Sequence, residues 1–220
     1  MSVFVAKRHR IVTVPNLFLV SVFVALIIGL IPTVNRINSQ GYYGMPINLN
    51  APRFSLHDAN GTAFTPDDLL GRYTFVVFGF INCENVCHNY VGLLELISRN
   101  VSGDNAQFVY MAMDVERDTP YELRQYFDSR GENFVSLNAR SLATMQSVAS
   151  RFNAGYRVAK PADSVDYTIE HPSRLYLVDP EGVIRIVYTG AFLEYKEIIK
   201  DLNNLSHQQN LTKNGAFNET

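Results

Sequence analysis

Cys83 and Cys87 are the only cysteines in the chain, and they are spaced i, i+4. On a helix that spacing sets both sulfurs on one face, about one turn apart. Two thiols so placed can close a disulfide or grip one soft metal ion, and a short-loop structural disulfide is the plain alternative. They follow Thr74-Phe-Val-Val-Phe-Gly-Phe80, a run apolar enough for a buried central strand. The run breaks at Gly79 and delivers the cysteines where a helix should begin, and a helix N-terminus lowers a thiol's pKa.

The elements that must position such a pair are within the chain's means. Its 220 residues, 47% hydrophobic and 18% charged, suit one compact domain with a full core plus an extra segment at an end. A net charge of -2, with no long basic run, gives no field for nucleic acid. Two cysteines are too few for a disulfide framework, so the fold must be held by packing.

Lys7, Arg8, His9 and Arg10 precede an apolar stretch, Ile11 to Val34, that carries no charge from Leu17 to Ile31. With its softer flanks it reaches the roughly 20 residues that cross a bilayer as a helix. The basic cluster keeps the N-terminus cytoplasmic and sends the remainder out. A cleaved signal peptide is the competitor, but Pro32-Thr-Val-Asn-Arg offers no small-x-small site, so an uncleaved signal anchor is expected. The expected organisation is a basic N-terminus (1–10), a transmembrane anchor (11–34), a linker (35–50), a domain (51–205) and a disordered tail (206–220). The expected location is a bacterial inner membrane, crossed once, with the domain in the periplasm.

Within the domain, Arg53 to His57 and Thr62 to Phe64 flank an Asp58-Ala-Asn60-Gly61 turn and read as a hairpin. Thr65 and Pro66 start a short helix. Apolar residues from Val86 to Ile97 recur at helical spacing, Gln107 to Met113 reads as a second core strand, and Thr119-Pro120 opens another helix. Phe134 to Leu137 is a brief strand, Ser141 caps a helix through Phe152, and 159–170 reads as a polar, irregular insertion. Arg174 to Val178 and Val183 to Tyr188 form a hairpin around Asp179-Pro-Glu-Gly182, and Leu193 to Leu205 closes as an amphipathic helix. The expected class is α/β, a mixed central sheet flanked by helices. A cysteine pair at its first strand–helix junction is the thioredoxin arrangement.

Four segments in matching order carry a closer resemblance: Phe78-Gly-Phe80 with Cys83-x-x-x-Cys87, Asp114-Val-Glu-Arg-Asp118-Thr-Pro120, His171 five residues before Tyr176, and Tyr176-Leu-Val-Asp-Pro180-Glu-Gly182. Together they resemble the Sco/SenC family of copper-binding, thioredoxin-fold proteins of cytochrome c oxidase assembly, over about Ala51 to Leu205. The resemblance implies copper, as Cu(I), Cu(II) or both, held by Cys83, Cys87 and His171. Soft thiolates with imidazole support suit Cu(I), whereas zinc wants a fourth ligand and calcium or magnesium want oxygens. The chain departs from the family's C-P-D-V-C-P in having Glu84 beside Cys83 and His88 after Cys87.

His88 reads as a solvated first-turn residue, with a spare ligand or a proton handler as the sharper reading. Its charge and that of Glu84 should nearly cancel in their effect on the thiols. Asp114, Glu116 and Asp118 could suggest a hard-metal site, but Asp118 and Thr119 are expected to cap the next helix and the others to be solvated. Met111 and Met113 are expected in the core, and His57 and His207 are expected to be bystanders. The leading function is a membrane-anchored copper chaperone, a carrier rather than a catalyst. Its partners would be a copper donor and a copper-bearing oxidase subunit, or another thiol protein. The alternative is a thiol–disulfide oxidoreductase or redox sensor using Cys83 and Cys87 without His171. Peroxidase-like chemistry is disfavoured by a second cysteine one turn away.

Overall fold

A buried apolar strand needs neighbours on both sides, and the fold supplies them around residues 73–79. The computed structural model describes residues 19–26, 29, 41–83, 86–102, 105–159 and 166–216. They fall into two units, Met1–Gly41 and Tyr42–Thr220. In the first, residues 19–26 are helical with exposed apolar side chains. The rest of the stretch expected to span a membrane lies almost wholly outside the described residues. Among the described residues no helix is long and apolar enough to cross a membrane.

The second unit runs β1 (Met45–Asn50), β2 (Leu56–Asp58), β3 (Ala63–Phe64), β4 (Tyr73–Gly79), α1 (Val86–Ser98), β5 (Ala106–Ala112) and α2 (Pro120–Phe127). It continues through β6 (Phe134–Asn138), α3 (Leu142–Arg151), β7 (Arg157–Ala159), β8 (Thr168–Glu170), β9 (Arg174–Val178), β10 (Val183–Thr189) and α4 (Tyr195–Ala216). Eight strands form one sheet in the order β1-β10-β9-β4-β5-β6-β2-β3, and β7 and β8 form a separate hairpin. β4, β5 and β6 are parallel to one another. β9 runs antiparallel beside β4, and β10 antiparallel beside β9. This is the mixed, helix-flanked sheet that the order of elements predicts.

β4 is buried along its whole length, so both of its faces meet core. Phe75 and Val77 face a cluster that contains Tyr90, Leu94 and Ile97 of α1, Leu123 of α2, and Ile198 and Leu202 of α4. Val76 and Phe78 face the opposite cluster, with Met145 and Val148 of α3, Phe152 just after it, and Met111 and Met113, which are core as expected. The helix starts follow their caps. Thr119 Oγ1 accepts the Glu122 N–H at 3.4 Å, Ser141 Oγ accepts the Thr144 N–H at 3.2 Å, and each satisfies an otherwise orphaned donor.

Three expectations need correction. Residues 45–50, read as linker, form the edge strand β1 against β10. The ladder supplies its partners, although its own side chains are mostly exposed. The insertion over 159–170 is not irregular throughout, because β7 and β8 pair with Arg157 opposite Glu170 and Val158 opposite Ile169. The tail from 206 is helical to Ala216. Gln208 and Gln209 tie it back, accepting from the hydroxyls of Tyr42 and Tyr73 respectively.

Candidate metal centre

The site is built where β4 ends. Gly79 leaves room there for the Tyr110 ring, since a Cβ would lie 2.9 Å from its hydroxyl and force it to shift. The Gly79 carbonyl accepts the Met113 N–H at 2.8 Å, tying the ends of β4 and β5 together. Beyond it the chain turns. The Cys83 N–H donates to the Phe80 carbonyl at 3.3 Å, and the Ile81 N–H is shared between both carboxylate oxygens of Asp118, at 3.1 and 3.2 Å. Cys83 is partly buried and packs against the cluster that contains Phe80, Ile169 and Tyr176. Cys87 is the second residue of α1, where unpaired helix N–H groups favour an anion. The Cys87 side chain and Glu84 lie outside the described residues. Among the described residues no three His, Cys, Asp or Glu side chains gather as a metal cluster.

His171 arrives from the far end of the domain. It follows β8, and its ring meets that of Phe80 edge-on with centroids 5.9 Å apart. Phe80 is three residues before Cys83, so the histidine reaches the cysteine turn. His171 Nδ1 lies 3.2 Å from the Pro172 carbonyl. A carbonyl only accepts, so Nδ1 carries the proton and the ring's lone pair is on Nε2. Burial lowers the His171 pKa, against the weaker opposing effect of that carbonyl, so the ring is held neutral. A neutral imidazole with its other nitrogen tied to a carbonyl has the usual form of a metal-ligating histidine.

His88 is the solvated first-turn residue expected, with one contact added. It is exposed, yet Nδ1 lies 2.7 Å from the Cys83 carbonyl, so its N–H closes the loop from α1 back to the cysteine turn. Its ring also meets Tyr126 edge-on at 5.9 Å. His57 Nε2 lies 3.2 Å from an Arg140 guanidinium nitrogen and His207 is exposed, both away from this turn.

Of the carboxylates in residues 114–118, Glu116 is exposed as expected, whereas Asp114 and Asp118 depart from expectation. Asp114 and Asp118 are almost fully buried. Asp114 accepts from the Arg117 guanidinium and, at 2.5 Å, from the Tyr167 hydroxyl. Asp118 serves the cysteine turn, and Thr119 alone caps α2. Desolvation raises the Asp118 pKa to about 7, with the Ile81 N–H opposing and the Asp114 charge adding. These oxygens are committed to donors of the protein, which leaves no carboxylate cage for a hard cation.

Residues 47–207 match the SCO1/SenC family model. The chain belongs to the SCO1/SenC family. A SCO2-like protein of Rickettsia prowazekii is 30% identical over 145 residues, 64% of this chain and 69% of that protein. The protein sco1 of Schizosaccharomyces pombe is 29% identical over 134 residues, 59% of this chain but only 51% of its own length. Among solved structures, Bradyrhizobium japonicum ScoI with copper bound gives a TM-score of 0.60 at 26% identity, covering 70% of this chain and 98% of that one. BsSco, a member of the Sco family of cytochrome c oxidase assembly proteins with an identified disulfide switch, shares the fold with a TM-score of 0.59 at 23% identity, covering 72% of this chain and 94% of that one.

Proposed function

We propose that this SCO1/SenC protein is a membrane-anchored copper carrier in which Cys83, Cys87 and His171 hold one copper ion and pass it on during cytochrome c oxidase assembly. The observation that carries the reading is the seating of His171 against Phe80, at the turn that bears Cys83, from 88 positions further along the chain. A thiol–disulfide reaction at the cysteine pair has no need of that histidine. A three-coordinate copper ion does, because two thiolates and one neutral imidazole form the soft ligand set that Cu(I) prefers. The copper-bound ScoI of Bradyrhizobium japonicum supports the choice of metal.

Copper is cargo here. The thiols must be reduced before they can ligate it, so loading is coupled to the redox state of the pair. The partners are a copper donor and a copper-bearing oxidase subunit, with a thiol protein to keep the pair reduced. The basic residues 7–10 before the apolar stretch 11–34 support an anchor with a cytoplasmic N-terminus and the copper domain in the periplasm.

The test uses the full-length chain, reduced and titrated with Cu(I) against a competing chelator, beside His171→Ala. The variant should lose at least the tenfold or so in affinity that loss of an outer partner alone costs at metal sites. It should also fail to restore oxidase assembly in cells lacking the protein. Unchanged affinity together with full restoration would reject the carrier and leave a thiol–disulfide oxidoreductase.

A further inference from the structure

His171 follows a strand that does not belong to the main sheet. β8 pairs only with β7, over three residue pairs, and an isolated two-stranded hairpin is marginally stable in water. The position of the hairpin must therefore come from its contacts with the core. Val158, Tyr167 and Ile169 pack on the core cluster, and the polar contacts of Tyr156 and Tyr167 converge on one short segment, the end of β5 and the turn that follows it.

The Tyr156 hydroxyl, just before β7, donates to the Met113 carbonyl at 2.8 Å. The Tyr167 hydroxyl, just before β8, donates to Asp114. Arg117 covers the Tyr167 ring with its guanidinium carbon 3.8 Å from the centroid. The same guanidinium donates to the Tyr167 carbonyl at 3.3 Å and pairs with Asp114. Four residues on from Asp114, Asp118 takes the Ile81 N–H of the cysteine turn. The turn itself is rigid, because the Asp118 N–H donates to the Asp114 carbonyl at 2.8 Å and Asn138 donates to the Asp118 carbonyl at 2.7 Å. One five-residue turn thus grips the cysteine side of the site at one end and the histidine side at the other.

We infer that the Asp114–Asp118 turn is a bracket that sets the separation between the cysteine turn and His171, with Arg117, Tyr167 and Asp118 as positioning residues for the third ligand. The inference rests on the carrier reading. None of the three touches the metal; they act through the Tyr167 backbone and through the Ile81 N–H. Tyr167 is suited to the task because burial and the Asp114 carboxylate push its pKa up to about 12, so it remains a hydrogen-bond donor.

The experiment is a double-mutant cycle on the full-length chain, with Cu(I) affinity read by chelator competition. Tyr167→Phe removes one hydroxyl and Arg117→Ala removes the clamp; each is made alone and with His171→Ala. Each alone should lower Cu(I) affinity by about tenfold, as loss of an outer partner does at metal sites. Neither should lower it further once His171 is gone. In the Cu(II) form of Tyr167→Phe, the imidazole-nitrogen coupling in pulsed electron paramagnetic resonance should weaken. A merely structural role would lower the melting temperature of the metal-free protein, yet leave affinity intact or reduce it by the same factor with and without His171. Either pattern overturns the bracket. If His171→Ala itself leaves affinity unchanged, the carrier reading falls and the bracket with it. Should Arg117→Ala fail to fold, the isosteric Tyr167→Phe decides alone.

Discussion

Asp118 shows what a single buried group can do at this site. Its carboxylate is 1% exposed and receives the Ile81 N–H, and desolvation raises its pKa from 3.8 to about 7. In the unfolded chain it loses its proton near 3.8, whereas in the folded chain it keeps it until about 7. Between those values the folded state binds more protons, so stability falls as pH rises. Asp118→Asn keeps an oxygen for the Ile81 N–H and removes the charge. Relative to wild type it should be neutral below pH 4, gain stability up to pH 7, and level off above at a difference on the order of 2–4 kcal/mol. Denaturant unfolding at a series of pH values checks this, and a constant difference would mean that Asp118 is ionised throughout. Such a group is hard to see in a sequence. Asp118 precedes Thr119-Pro120, where an aspartate ordinarily caps a helix, and only the burial of the turn turns it towards Ile81. Cys83 and Cys87 are legible by spacing alone. His171 is legible only through family resemblance, because nothing local in Glu170-His171-Pro172 announces a ligand.

Elements were legible in proportion to how far their own side chains account for them. β4, β5 and α1 carry apolar patterns that point to their burial, and the caps at Thr119 and Ser141 mark where α2 and α3 begin. β1, β7 and β8 carry no such pattern. Five of the six residues of β1 are exposed, and it includes Pro46. What places it lies elsewhere. The carboxylate of Asp201 in α4 accepts the Tyr43 and Gly44 N–H groups at 2.9 and 3.0 Å, latching the chain just before the strand. Gly44 is needed there because a Cβ would lie 2.2 Å from Ile186 and 2.6 Å from Tyr188, both in the β10 that β1 pairs with. Gly44→Ala should therefore push β1 off the sheet edge and cost about 1–3 kcal/mol, the usual penalty of overpacking. Hydrogen exchange should show lost protection in 45–50 and along the facing side of β10, with β4 and β5 unchanged. Uniform loss across the sheet would show that β1 is integral to the core and not an edge latched from outside.

At the scale of the whole domain, β4 has chemistry at one end and a structural knot at the other. Tyr73 begins the strand, and its hydroxyl donates to Gln209. Gln209 in turn donates to the fully buried Asp179 at 2.9 Å and to Glu181 at 2.8 Å, while Arg185 also pairs with Asp179. This knot depends on the part of α4 that lies beyond Leu205. Polar composition made that segment read as a tail, because its partners sit in a turn some thirty residues upstream. The strand's length puts the knot about 20 Å from Gly79, where the cysteine turn begins. Perturbations separated by more than about 10 Å, without shared partners, act independently. A chain ending at Leu205 should accordingly lose about 1.5–3 kcal/mol of stability, as expected when a buried carboxylate forfeits a hydrogen bond. Its Cu(I) affinity should remain that of the full chain. Denaturant unfolding and chelator competition on the same preparation separate the two effects. A parallel fall in copper affinity would mean that β4 transmits strain along its length, and the site would then depend on the packing of the whole sheet as well as on the turns that surround it.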